Sequence, residues 1–159
     1  MKTLVIYDSK FGNTEAVARV IGETVNCPQL RHAQAVEPDD LRGLDLLVVG
    51  SPTQGGRPTK AIQNLLNEIP AQTLNHTRIA AFDTRIPARG FFLRALMGVI
   101  GYAAPKIDAK LRAKGGTKAV APQGFLVTGT EGLLQDGELA KAAEWARASL
   151  EVGEQAGVA

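Results

Sequence analysis

The chain has 159 residues, 45% of them hydrophobic and 21% charged, with a formal net charge of +2 and a sequence pI near 8.8. That suits one domain with a core of its own, and the lysines and arginines are too dispersed for a nucleic-acid surface. A lone cysteine, Cys27, excludes an internal disulfide, and His32 and His76 stand too far apart in sequence for a metal set.

Thr3 to Tyr7 is a nearly continuous apolar run, as expected of a strand buried on both faces in a parallel sheet. It is too short for a signal peptide, and no segment reaches the roughly 18 apolar residues of a membrane span, so a cytoplasmic protein is expected. A polar loop, Asp8 to Asn13, leads into a helix over Thr14 to Val25, with Val17, Ala18, Ile21 and Val25 at helical spacing and Cys27 at its end. Gln29 to Ala35 is a weak edge strand. Asp39-Asp40 is a turn or cap before Leu41, and His32 and His76 are structural or surface residues. Asp45 to Gly50 is the strongest buried-strand signal, followed by a Gly- and Pro-rich loop and a helix over Thr59 to Ile69. Arg78 to Thr84 is a fourth strand. Ala104 to Lys114 is a helix stopped by Gly115-Gly116. A fifth strand, Lys118 to Val127, is broken at Pro122-Gln123-Gly124, and Gly137 to Leu150 is a closing helix with Asp136 as a cap. The domain is expected over 1–150, with 151–159 a frayed C-terminal tail.

Strands alternating with helices give a three-layer α/β domain around a doubly wound, five-stranded parallel sheet. Ligands of such sheets bind outside the carboxyl ends of the strands, so the loops after the first, third and fourth strands are the candidates. In the first, Ser9, Lys10, Gly12, Asn13 and Thr14 precede a helix, whose N-terminus offers unpaired N–H groups and a partial positive charge to an anion. The loop has one glycine, so it is not the dinucleotide fingerprint, and no Gly-Lys-Ser/Thr makes it a Walker A loop. A plain capped turn is the alternative at this point.

Ser9-x-x-Gly12-Asn13-Thr14-Glu15 resembles the FMN phosphate loop of the flavodoxin-like family, and Gly50-Ser51-Pro52-Thr53-Gln54-Gly55-Gly56 is similar to that family's flavin loop. The resemblance covers essentially the whole chain. It implies strand order 2-1-3-4-5 with FMN at the switch point. It also implies a phosphate held by Ser9, Lys10, Gly12, Asn13 and Thr14, with Phe11 of the same loop among the cofactor-binding residues, a ring edge held by Pro52, Thr53, Gln54, Gly55 and Gly56, and Thr84 and Arg85 near the pyrimidine end. Gln54 stands where many members place an aromatic ring, and Lys10 and Phe11 where they carry hydroxyls. The chain is also mildly basic where electron-carrier flavodoxins are acidic.

The implied function is electron transfer through bound FMN, with a reductase and an acceptor as redox partners and no catalytic residue, because the cofactor supplies the chemistry. An FMN-dependent reductase of quinones and a flavin-free interaction module are the alternatives on the same fold. Phe91 to Tyr102 is too apolar for a bare loop. Either it is a short helix that covers the flavin, docks a partner or self-associates, or it packs on the core as the start of the fourth helix. Phe91, Phe92 and Tyr102 are the rings placed to replace the missing one. Arg85, with Arg57 and Arg89 near, is expected to ease reduction by favouring negative charge on the ring.

Overall fold

The computed structural model describes residues 1–27 and 29–156. The elements run β1 (Thr3–Tyr7), α1 (Asn13–Thr24), β2 (Leu30–His32), β3 (Leu46–Pro52), α2 (Lys60–Glu68), β4 (Arg78–Arg85), α3 (Phe91–Ile100), α4 (Ala103–Ala113), β5 (Thr117–Lys118), β6 (Gln123–Leu126) and α5 (Glu138–Ala156). The sheet order is β2-β1-β3-β4-β5, with β6 also on β4, and every pairing is parallel. This is the expected doubly wound order, with β5 and β6 as the two pieces of the broken fifth strand.

Strand side chains alternate between faces, and both faces are apolar because helices cover both. Leu4, Ile6, Leu47, Val49, Ile79 and Ala81 pack with Ile62, Leu65 and Leu66 of α2 and Ile107 and Leu111 of α4. Val5, Leu46, Val48, Ala80 and Phe82 pack with Val17, Ala18 and Ile21 of α1 and Ala142, Trp145 and Ala146 of α5. There Phe82, Phe125 and Trp145 meet edge-on at 6.1–6.2 Å between ring centres. Cys27 is half-buried against the same layer, as expected of a helix-end residue.

The differences from expectation have local causes. The strand expected over 29–35 shrinks to Leu30–His32. The His32 ring accepts the Gln34 N–H at 3.2 Å and turns the chain into a 3-10 turn, Ala33–Ala35. The break in the last strand falls over 119–122, ahead of Gln123-Gly124. Pro122 has no N–H to give the ladder, and pairing with Phe82 and Asp83 resumes directly after it. The helix α5 continues to Ala156, past the expected boundary at Leu150, and the end of the expected tail, 157–159, lies outside the described residues. Asp39-Asp40 sits in a 3-10 turn, Pro38–Leu41, where Glu37 and Asp40 cap each other reciprocally. The segment after β4 is a helix of its own, α3, none of whose residues is buried.

Candidate functional site

The carboxyl ends of β1, β3, β4 and β6 open on one edge of the sheet, around a cavity of about 410 Å³. That lies within the roughly 300–1,000 Å³ typical of small-molecule sites.

The first wall is the loop from β1 to α1. At its base the Asp8 carboxylate accepts the Ser9 N–H and a hydrogen bond from the His32 ring, both at 2.9 Å, which fixes where the loop leaves the sheet. His32 in turn meets Tyr7 edge-on, so its role is structural, as expected. Burial, and after it the Glu15 carboxylate, push the Tyr7 phenol above its ordinary pKa. The Ser9 hydroxyl accepts the N–H groups of Gly12 at 3.1 Å and Glu15 at 3.3 Å, capping the start of α1 from within the loop. Gly12 is the N-cap residue, with φ at 92° and open space where a side chain would project. The N–H groups of Asn13 and Thr14 belong to the first turn, which has no intrahelical acceptors for them. Lys10, Phe11, Asn13 and Thr14 line the cavity, while Ser9 and Gly12 shape the loop behind them. The Asn13 amide donates to the Gly132 carbonyl, tying this loop to the one after β6.

The second wall follows β3. Thr53 N–H donates to the Thr84 carbonyl at 2.9 Å, and Gln54 and Arg57 exchange backbone hydrogen bonds across a two-residue turn. The turn residues Gly55 and Gly56 have φ at 57° and 79°, the pair of positive angles that a type I′ turn demands and that glycine supplies without strain. Pro52, Thr53 and Gln54 line the cavity. Gly55 and Gly56 are set back in the turn, where a Cβ on Gly56 would collide with Ile100 of α3.

The third wall is the end of β4. The Thr84 and Thr14 hydroxyls bond each other at 2.8 Å, and both residues are buried. Two hydroxyls carry two protons and this bond uses one, which leaves an O–H for a ligand. Asp83 and Arg85, two apart on a strand, share the opposite face. The Asp83 carboxylate is fully buried. It accepts from Arg85 Nε and Nη2, both at 2.6 Å, and from the Ala104 N–H at the start of α4 at 2.8 Å. The guanidinium also lies over the Tyr102 ring, 3.7 Å from its centre.

This corrects one expectation. Arg85 lines the cavity, but its charge is matched by a buried carboxylate, so it does not offer a free cation to the ring. Nor do the rings expected to replace the missing aromatic reach the site. Tyr102 is covered by Arg85, Phe91 and Phe92 face outward, and Phe11 is the aromatic that lines the cavity.

The fourth wall, Val127, Gly129 and Thr130 after β6, escaped the sequence reading, as did Ile86. The signal was there: Thr128-Gly129-Thr130 follows an apolar strand end, and a parallel sheet presents all its carboxyl ends on one edge.

Taken together, the lining residues include two cations, Lys10 and Arg85, and no carboxylate. Hydroxyls and helix N–H groups gather at one end, and Phe11, Pro52, Ile86 and Val127 supply apolar surface. That donor set suits a ligand with an anionic end and a flat apolar body.

A family model described as a flavodoxin domain matches residues 4–92, more than half of the chain. The chain belongs to the flavodoxin domain family. It is an FMN-binding electron-transfer protein that acts with redox partners. A comparison with curated proteins finds no match. Among solved structures, an archaeal flavodoxin is 22% identical, with a TM-score of 0.70, covering 96% of this chain and 99% of its own. Oxidised flavodoxin 2 of Bacillus cereus is 20% identical, with a TM-score of 0.72 over 95% and 99%. The rubredoxin oxygen:oxidoreductase of Desulfovibrio gigas is 17% identical, with a TM-score of 0.69, covering 96% of this chain but 36% of its own. Likeness at these identities shows the fold. Among the described residues, no helix is long and apolar enough to cross a membrane.

Proposed function

We propose that FMN binds in the cavity at the carboxyl edge, with its phosphate at the start of α1 and its ring among Phe11, Pro52, Gln54, Ile86 and Val127. The observation that carries this is the lining itself: the Lys10 cation, hydroxyls and free helix N–H groups together, with no carboxylate among the lining residues and with apolar walls beside them. Bound FMN supplies one- or two-electron chemistry. The chain's part is to hold and orient. Lys10, Asn13 and Thr14 meet the phosphate. Ser9 and Gly12 keep the loop in shape, and the Asp8–His32 bond holds its base. The Gly55-Gly56 turn sets the height of Gln54, and the Asp83–Arg85 pair stiffens the wall opposite. No residue serves as base or nucleophile. A reductase and an acceptor in the cytoplasm are the proposed partners.

Fluorescence titration of apoprotein with FMN tests the site. Thr14→Ala removes the hydroxyl assigned to the phosphate. A lost hydrogen bond to a charged group is worth about 1.5–3 kcal/mol, so affinity should fall roughly tenfold or more. Unchanged affinity would remove Thr14 from the site.

A second reading, an FMN-dependent reductase of a small substrate such as a quinone, is favoured by one feature. Loops two and three place no aromatic side chain on the cavity, which leaves it open to a substrate. NAD(P)H-linked quinone turnover without an added reductase would support it, and its absence would leave the carrier reading.

A further inference from the structure

The helix α3 carries its apolar side outward. Phe91 is 91% exposed, Phe92 80% and Val99 86%, and with Ala95 they lie on one side at helical spacing. Leu93 and Ile100 are half as exposed and form the inner side. Both sides of the helix are therefore apolar, where a surface helix of a globular protein turns a polar side to solvent. At its end the helix is anchored. Ile100 fits against Gly56, and Lys106 Nζ donates to the carbonyls of both Gly56 and Ile100. Gly90 and Gly101 bracket it with φ at 83° and 81°, a backbone that lets the chain step out of the body and return.

Charge says what covers it. From Thr84 to Ile107 the sequence has Arg85, Arg89, Arg94 and Lys106 and no acidic residue. Arg85 is paired within the fold, while Arg89 and Arg94 have no ion-pair partner among the described residues. Beyond the anchored end, Arg57, Lys106 and Lys110 line a second cavity that likewise has no carboxylate. A second copy of the chain docked through this same face would bring two cationic patches together, with no carboxylate between Thr84 and Ile107 to pair with them, which opposes self-association. An anionic surface with an apolar interior meets both features at once. Aromatic and aliphatic side chains enter the headgroup boundary while arginines flanking them pair with lipid phosphates.

We propose that α3 docks the protein peripherally on a bilayer containing anionic phospholipid, lying in the interface plane. The rim of the cofactor cavity, joined to α3 through Gly56 and Lys106, is thereby held at the membrane surface, where a membrane-resident redox partner is met. The proposal stands on α3 and its rim, independent of which residues hold FMN.

Flotation of the holoprotein with phosphatidylcholine vesicles, with and without phosphatidylglycerol, tests it. The protein should float with the anionic vesicles, and added salt should release it. Joint Phe91→Ser and Phe92→Ser replacement should lower partition by about tenfold or more, and joint Arg89→Gln and Arg94→Gln replacement should lower it only with anionic vesicles. All four positions are exposed, and unchanged melting temperatures establish that the variants fold. Protein that fails to float with either vesicle, or floats equally well after the Phe replacements, overturns the proposal. So does a dimer in sizing chromatography that the Phe replacements dissolve without any vesicle binding. Flavin absorbance read in parallel separates loss of docking from loss of cofactor.

Discussion

The end of β4 and the helix that follows it are neighbours in sequence and opposites in physics. Asp83, Thr84 and Arg85 spend their polar groups inside the fold, on each other, on Thr14 and on the start of α4. A few residues later, α3 buries nothing and turns phenylalanines to solvent. The first region is a wall whose groups hold one another in place, with one hydroxyl proton of the Thr14–Thr84 pair left to meet a ligand. The second is a surface held ready for something outside the chain. Both are joined to the cavity rim, one through the sheet and the other through Gly56.

The contrast can be broken at its rigid side first. Asp83→Ala leaves the Arg85 guanidinium and the Ala104 N–H without their acceptor. Removing one partner of a buried pair costs about 3–5 kcal/mol, and because Arg85 is partly exposed the loss should sit near the lower end, about 3 kcal/mol, by urea denaturation. A loss below about 1 kcal/mol would mean the wall is not held by this carboxylate. Gly56→Ala forces a positive φ on alanine and pushes a Cβ into Ile100, at an expected cost of about 1–3 kcal/mol. Limited proteolysis should then cut the α3 segment faster. Equal cleavage would show that Gly56 does not anchor the helix.

On the exposed side, Phe92→Ser should change stability by no more than about 0.5 kcal/mol, as for other surface positions. A drop of several kcal/mol would return α3 to the core and end the contrast. The smallest effect belongs to joint Asp83→Asn and Arg85→Gln replacement. The two charges cancel, so removing both together should move the flavin potential by less than about 60 mV, the shift of one tenfold change for one electron. A larger move, read by redox titration, would show that the field of the pair reaches the ring.

Much of this was legible because parallel strands are written plainly. The apolar runs in β1, β3 and β4 and the periodic faces of α1 and α2 follow from burial on both sides of the sheet. The first two loops were legible as motifs. The wall after β6 was not, because Val127, Gly129 and Thr130 carry no distinctive chemistry and gain meaning only from the edge they share. The Asp83–Arg85 pairing was within reach, since residues two apart on a strand share a face, but the strand read from the sequence stops at Thr84, one residue short of Arg85. The fate of Phe91 to Tyr102 was open, because apolar sequence ordinarily means core, and only packing separates a buried helix from an exposed one.

The central claim is that this edge of the sheet holds FMN by its phosphate as well as its ring. Titrating apoprotein with FMN and, separately, with riboflavin compares the ligand with and without that anionic end. The account predicts one FMN per chain, and riboflavin weaker by roughly tenfold or more, the equivalent of one hydrogen bond to a charged group. Equal affinity for the two would contradict it, because the start of α1 would then contribute nothing to binding.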